Sequence, residues 1–228
     1  MNSVGLIMEK VLVIAPHPDD EVIGVGGTII KHVESGAEVY VCFVCRGKEP
    51  LFRDSEVELC RTETIECHKI LGVKERFYLD FPSVLLEKED LYKINDALSF
   101  VINKVQPNVV YIPHIGDMQK DHQIVAECAM VALRPKYSHR VMHIYSYETL
   151  SETGWNTPNV SNAFIPNVYV DISNQNSKKL KAIKCYKSQI SDFPNSRSVE
   201  AIESLSKYRG ALIHVRAAEC FMLIREIR

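Results

Sequence analysis

The 228 residues include no run near the ~20 consecutive apolar residues that a membrane-spanning helix needs. There is also no basic stripe and no polybasic segment. The 27 Lys and Arg are mixed along the chain with 29 Asp and Glu, giving a formal net charge of −2. That balance argues against nucleic acid as a partner and against membrane insertion. The stretch Met1–Lys10 lacks a charged start followed by a long apolar segment, so no secretory signal is expected and the expected location is cytoplasmic. A disulfide frame is not expected either. The seven cysteines are odd in number and scattered, as suits reduced thiols. Cys42 and Cys45 form a C-x-x-C, but they fall in the strand-like run Val39–Val44, where such positions should face opposite ways; both read as small core residues. No four Cys or His have structural-zinc spacing. With no repeat, low-complexity tract or linker, residues 1–228 read as one domain.

What is present is an alternation. Apolar strand-like runs lie at Val11–Ala15, Val39–Val44, Phe77–Leu79 and Val109–Pro113. Segments of helical period fall at Val22–Val33, Ser55–Leu71, Leu91–Val105 and His122–Leu133. The order implies βαβ units, hence an α/β, Rossmann-like three-layer fold around a mostly parallel sheet. Val141–Tyr147, Asn167–Asp171 and Phe221–Ile224 are further strand candidates. Ser177–Gly210 reads as two helical pieces broken near Phe193-Pro194-Asn195, and Glu148–Pro166 reads as a long loop.

Two polar clusters each follow an apolar strand. The first is His17-Pro18-Asp19-Asp20-Glu21. Pro18 suits a first helical turn, and the carboxylates suit the positive end of the helix. His17 and Asp20, three apart, share a face and can grip one ion; Asp19 points elsewhere and can reach an ion-bound water as a base. Gly24, Gly26 and Gly27 follow, which suggests close packing or room for a ligand. They do not form the dinucleotide fingerprint, whose glycines belong in the strand-to-helix turn. The second cluster is Pro113-His114-Ile115-Gly116-Asp117-Met118-Gln119-Lys120-Asp121-His122. His122 would complete a His, Asp, His set, which leaves a position open for water as in catalytic zinc sites. Asp121 either holds the His122 ring or caps the helix. His114 and Asp117 lie on the connecting loop, where catalytic groups tend to sit. In parallel sheets, ligands bind beyond the carboxyl ends of the strands, so both clusters are expected on one rim.

At these residues the chain resembles the PIG-L/LmbE-like family of zinc-dependent N-acetyl-sugar deacetylases. The first motif matches fully, with Gly26-Gly27 behind it. The second matches as Pro113-His114-x-Gly116-x-x-Gln119-x-Asp121-His122, with Gln119 where the family commonly has histidine. Weaker similarities run through Arg61 and Glu63, Arg134-Pro135, Arg197-Ser198, Arg209-Gly210 and Ala218-Glu219-x-Phe221.

The resemblance implies one zinc ion per chain, held by His17, Asp20 and His122, with Asp19 as the general base; another divalent metal would suit the same donors. It implies an N-acetylated amino sugar of the N-acetylglucosamine type as the small-molecule substrate. A glutamine can donate a hydrogen bond to an oxyanion but cannot deliver a proton, so the acid falls to Asp19, once protonated, or to His114. Arg46, Asp117 and Arg134 are the candidate substrate-binding residues, the two arginines for a phosphate on a nucleotide-linked sugar. An amidase for a non-sugar N-acyl compound and a non-catalytic sugar- or nucleotide-binding module are the competing readings. Association into a homo-oligomer is common among such α/β domains.

Overall fold

A computed structural model describes residues 8–135 and 139–228; the start of the chain, Met1–Ile7, lies outside the described residues. Strand β1 (Lys10–Ala15) pairs in parallel with β2 (Glu38–Arg46) on one side and with β4 (Val109–Pro113) on the other. The remaining strands are β3 (Glu75–Pro82), β5 (His143–Tyr147), β6 (Val168–Asp171) and β7 (Ala218–Glu226), in the sheet order β3-β2-β1-β4-β5-β7-β6. Only β7 runs antiparallel to its neighbours β5 and β6.

The alternation of side chains along a strand explains the three layers. Val11, Val13 and Ala15 of β1 join an apolar cluster with α1 (Asp20–Glu34), α2 (Asp54–Leu71), α5 (Asn176–Ile183) and α6 (Val199–Ala211). Leu12 and Ile14 point the other way, into a second cluster with α3 (Leu91–Val105) and α4 (Lys120–Ala132). A strand buried on both faces needs the unbroken apolar run that β1 has. The expected α/β architecture is therefore present, with helix ends within a few residues of those read from the sequence. The Ser177–Gly210 region departs more: residues 184–198 form a long irregular connection between α5 and α6.

Cys42 and Cys45 correct the simple strand expectation. A register shift between Phe43 and Cys45 puts both thiols in the same cluster, on the α3–α4 side. All seven cysteines are free. No helix among the described residues is long and apolar enough to cross a membrane.

The glycines of α1 are explained by packing. A Cβ on Gly27 would come within 2.7 Å of Ile172 Cδ1, and one on Gly24 would collide with the Tyr147 ring. Alongside, the buried pair Lys179–Glu219 (2.7 Å) serves the middle of the same helix. Glu219 accepts the backbone N–H groups of Gly27 and Thr28, at 2.8 and 2.7 Å, and Lys179 donates to the Ile23 carbonyl at 2.7 Å.

Candidate active site and metal centre

Because β1 pairs directly with β4, and their helices α1 and α4 pack on opposite faces, the β1–β4 gap is the topological switch point of the sheet. The loop after β1 delivers His17 and Asp20; the loop after β4 delivers Asp117, Gln119 and His122. Residues about a hundred apart thus meet at one rim. His17, Asp20 and His122 present ligand atoms that all lie within 4.8 Å of one another.

Asp20 sits between the two imidazoles. Its Oδ2 lies 3.4 Å from His17 Nδ1 and 3.3 Å from His122 Nε2. The other nitrogen of each ring meets a different carboxylate: His17 Nε2 is 3.0 Å from Asp121 Oδ2, and His122 Nδ1 is 2.9 Å from Asp117 Oδ2. Carboxylates behind metal-binding imidazoles fix tautomer and ring orientation in this way. Burial lowers the proton affinity of His122, but Asp20 and Asp117 outweigh it and raise the ring to about 9. His17 is likewise raised, against burial, by Asp121 and Asp20. Burial opposes the charge of Asp20, yet both imidazoles hold its carboxyl well below the usual range.

Several buried polar atoms here have no hydrogen-bond partner: Asp19 Oδ1, Asp20 Oδ1, Gln119 Oε1 and His122 Nε2. Orphaned buried polar atoms are costly, and two of these belong to residues of the His17, Asp20, His122 group, which therefore calls for a ligand. Two imidazoles and a carboxylate, each ring backed by an acid, are a donor set that fits a zinc-type cation.

Asp19 has a different environment. Its backbone adopts φ 105°, a region that residues other than glycine rarely enter. Arg197 Nη1 donates to its Oδ2 at 2.9 Å, leaving Oδ1 free. Burial pushes its carboxyl up to about 8 even though Arg197 pulls the other way. Asp19, His17, Arg46, Gln119 and Arg197 line a cleft of about 210 Å³.

Four expected roles are corrected by placement. Asp121 does not hold His122; consecutive helical residues diverge by about 100°, and Asp121 reaches across to His17 and to the Val84 N–H (2.7 Å). Asp117 has no oxygen free for substrate, since Oδ1 accepts from Thr153 Oγ1 at 2.6 Å while Oδ2 meets His122. Arg134 follows the far end of α4 and lines a separate pocket with Asp96 and His139. His114 does not line the cleft: it is buried, with Nε2 3.1 Å from the Asn162 carbonyl oxygen and its ring edge-on to Phe164. Arg46 does reach the cleft, paired with Asp54 at 3.0 Å. Arg197 was missed as a site residue, because its contact with Asp19 spans 178 positions of sequence. Its only sequence signal was the weak Arg197-Ser198 similarity.

Residues 12–133, more than half of the chain, match the family described as PIG-L: GlcNAc-PI de-N-acetylase. The chain belongs to this PIG-L family. A diacetylchitobiose deacetylase of Thermococcus kodakarensis is 27% identical over 93% of this chain and 82% of its own length. A probable N-acetyl-alpha-D-glucosaminyl L-malate deacetylase 2 of Bacillus cereus is 28% identical over 80% of this chain and 84% of its own. The solved N,N'-diacetylchitobiose deacetylase of Pyrococcus horikoshii superposes with a TM-score of 0.76 at 27% identity, covering 95% of this chain and 84% of the other. The expected family and fold are borne out, and the PIG-L chain is a hydrolase of the amide-cleaving deacetylase class.

Proposed function

We propose that this PIG-L chain removes an N-acetyl group from an N-acetylated amino sugar of the N-acetylglucosamine type, with a single zinc ion held by His17 Nδ1, Asp20 and His122 Nε2. The observation that carries the reading is the convergence of these three donors, with Asp19 adjacent to Asp20 in sequence and lining the same cleft as His17. A zinc ion bound there supplies a water acidified toward neutrality and a Lewis acid for the amide carbonyl. Asp19 takes the proton of the attacking water on Oδ1, while Arg197 keeps Oδ2 fixed. The developing oxyanion needs donors on the opposite side, and the amide of Gln119, at the cleft wall, supplies one. Asp19 then returns its proton to the departing amine, so one residue serves first as base and then as acid. That double duty removes the need for an acidic histidine at position 119. Arg46 meets the distal part of the substrate.

The named relatives act on diacetylchitobiose or carry N-acetylglucosaminyl malate in their names, which supports the sugar over a general amide. The test joins metal analysis to an acetate-release assay on N-acetylglucosamine conjugates and on N-acyl compounds without sugar. One equivalent of zinc and acetate from the sugar conjugates alone is the expected result. Zinc with acetate only from non-sugar amides would transfer the chemistry to another substrate class. Zinc-loaded protein inert on the whole panel would leave a binding module.

A further inference from the structure

The last carboxylate of the first cluster, Glu21, is fully buried, does not line the cleft and is not one of the three proposed zinc donors. Three hydrogen-bond contacts converge on it. Its Oε2 accepts the backbone N–H of Asp19 at 3.0 Å; its Oε1 accepts the Tyr186 hydroxyl at 2.7 Å and lies 3.3 Å from His68 Nε2. Behind His68, Arg76 Nε donates to His68 Nδ1 at 3.3 Å. An arginine has no acceptor, so Nδ1 must be the acceptor and the ring proton must sit on Nε2, aimed at Glu21. Arg76 therefore sets the tautomer of His68, and Glu21 is presented with donors only.

Asp19 needs this support. At φ 105° its backbone is strained, and such a conformation persists only when its surroundings impose it. The Asp19 carbonyl is engaged by the N–H groups of Val22 and Ile23, its carboxylate by Arg197, and its N–H by Glu21. We infer that Glu21 is a positioning residue for Asp19: it holds the backbone turn that aims the free Asp19 oxygen into the cleft, and the His68–Arg76 pair keeps Glu21 oriented to do so. The inference rests on Asp19 being the base.

Glu21→Gln discriminates because an amide cannot satisfy this set. If its oxygen faces the Asp19 N–H, its NH2 group faces the Nε2–H of His68; reversed, the NH2 faces the Asp19 N–H. The zinc-loaded variant should keep one metal per chain and an unchanged KM, while kcat falls about 10- to 100-fold, the scale of a misplaced reacting group. Its crystal structure should show the Asp19 backbone away from φ 105°. A kcat within about threefold of the parent overturns the inference, and so does a loss of kcat that simply follows loss of zinc. If Glu21→Gln does not fold, Arg76→Gln and Tyr186→Phe decide. Supporting results are a several-fold fall in kcat at constant KM in both, with nitrogen chemical shifts showing His68 leaving the Nε2–H tautomer in Arg76→Gln. Unchanged kcat in both overturns it. Asp19→Asn is run beside them: if it stays active, the base assignment fails, not the positioning of Asp19 by Glu21.

Discussion

The two polar clusters supply the site in unlike ways. In the first, His17, Asp19, Asp20 and Glu21 all fall in the proposed site or its support within one turn at the start of α1, and the last three are fully or almost fully buried. In the second, the useful residues are spread along a loop and the opening of α4, and the loop is itself held from elsewhere. Asp117 is gripped by Thr153, and Asn156 Nδ2 donates to the carbonyls of Gly116 and Asp117. A helical turn fixes its side-chain directions by its own geometry, whereas a loop takes them from distant partners. The first cluster should therefore present the proposed base and two of the proposed metal donors from one turn, whereas the second should hold its donor His122 only as firmly as its supports allow.

The sharpest test of that division is Asp19→Asn. It should lower turnover by about 10²- to 10⁴-fold with zinc retained, read by steady-state kinetics beside metal analysis; full activity would remove the base from the first cluster. Next in size are the residues behind the imidazoles. Asp117→Ala should weaken zinc binding by about 10- to 100-fold in a chelator competition. Asp121→Ala should weaken it less, because its partner His17 is partly exposed and a water can replace the carboxylate. Equal or inverted losses would show that the loop-borne ring does not depend on its support.

A smaller effect follows from pH. The ion-free protein holds extra proton affinity on His17 and on His122, the latter raised to about 9. Bound metal needs both rings in the neutral form, so binding must displace those protons and should tighten as pH rises through neutrality toward 9. Calorimetry in buffers of different ionisation enthalpy should register the release; the same affinity at about pH 6 and about pH 8, with no protons released, would contradict it. The smallest effect is expected for Arg134→Ala, which should leave kcat/KM within about twofold because the residue lies at the far end of α4. A large loss would mean that the pocket there communicates with the cleft.

How much was legible in the sequence follows the same physics. The core strands β1, β2 and β4 could be read because a strand buried on both faces is an unbroken apolar run, and their right-handed crossovers leave little choice of topology. Strand β7, between β5 and β6, was read only as Phe221–Ile224, since the charged Glu219 interrupts its buried start and the charged Arg225-Glu226 forms its exposed end. His17, Asp20 and His122 were legible because helical spacing and strand ends locate them. The partners of the rings were not: neighbours in sequence suggested Asp121 for His122, while the structure pairs Asp117 with it. Arg197 and His68 reach the first cluster from 178 and 47 positions away, and pairings over such distances depend on the tertiary fold.

The ion pair beneath α1 bears on the order of events during synthesis. All the proposed zinc donors have been translated by residue 122, yet the helix that begins with Asp20 has backbone groups in its middle that rely on Lys179 and Glu219. A nascent chain paused before residue 179 would hold every proposed donor for the metal and lack both side chains, Lys179 and Glu219, that complete the scaffold beneath them. Loading of the ion thus belongs to the released, finished polypeptide, and a ribosome-stalled fragment ending before residue 179 should bind it poorly.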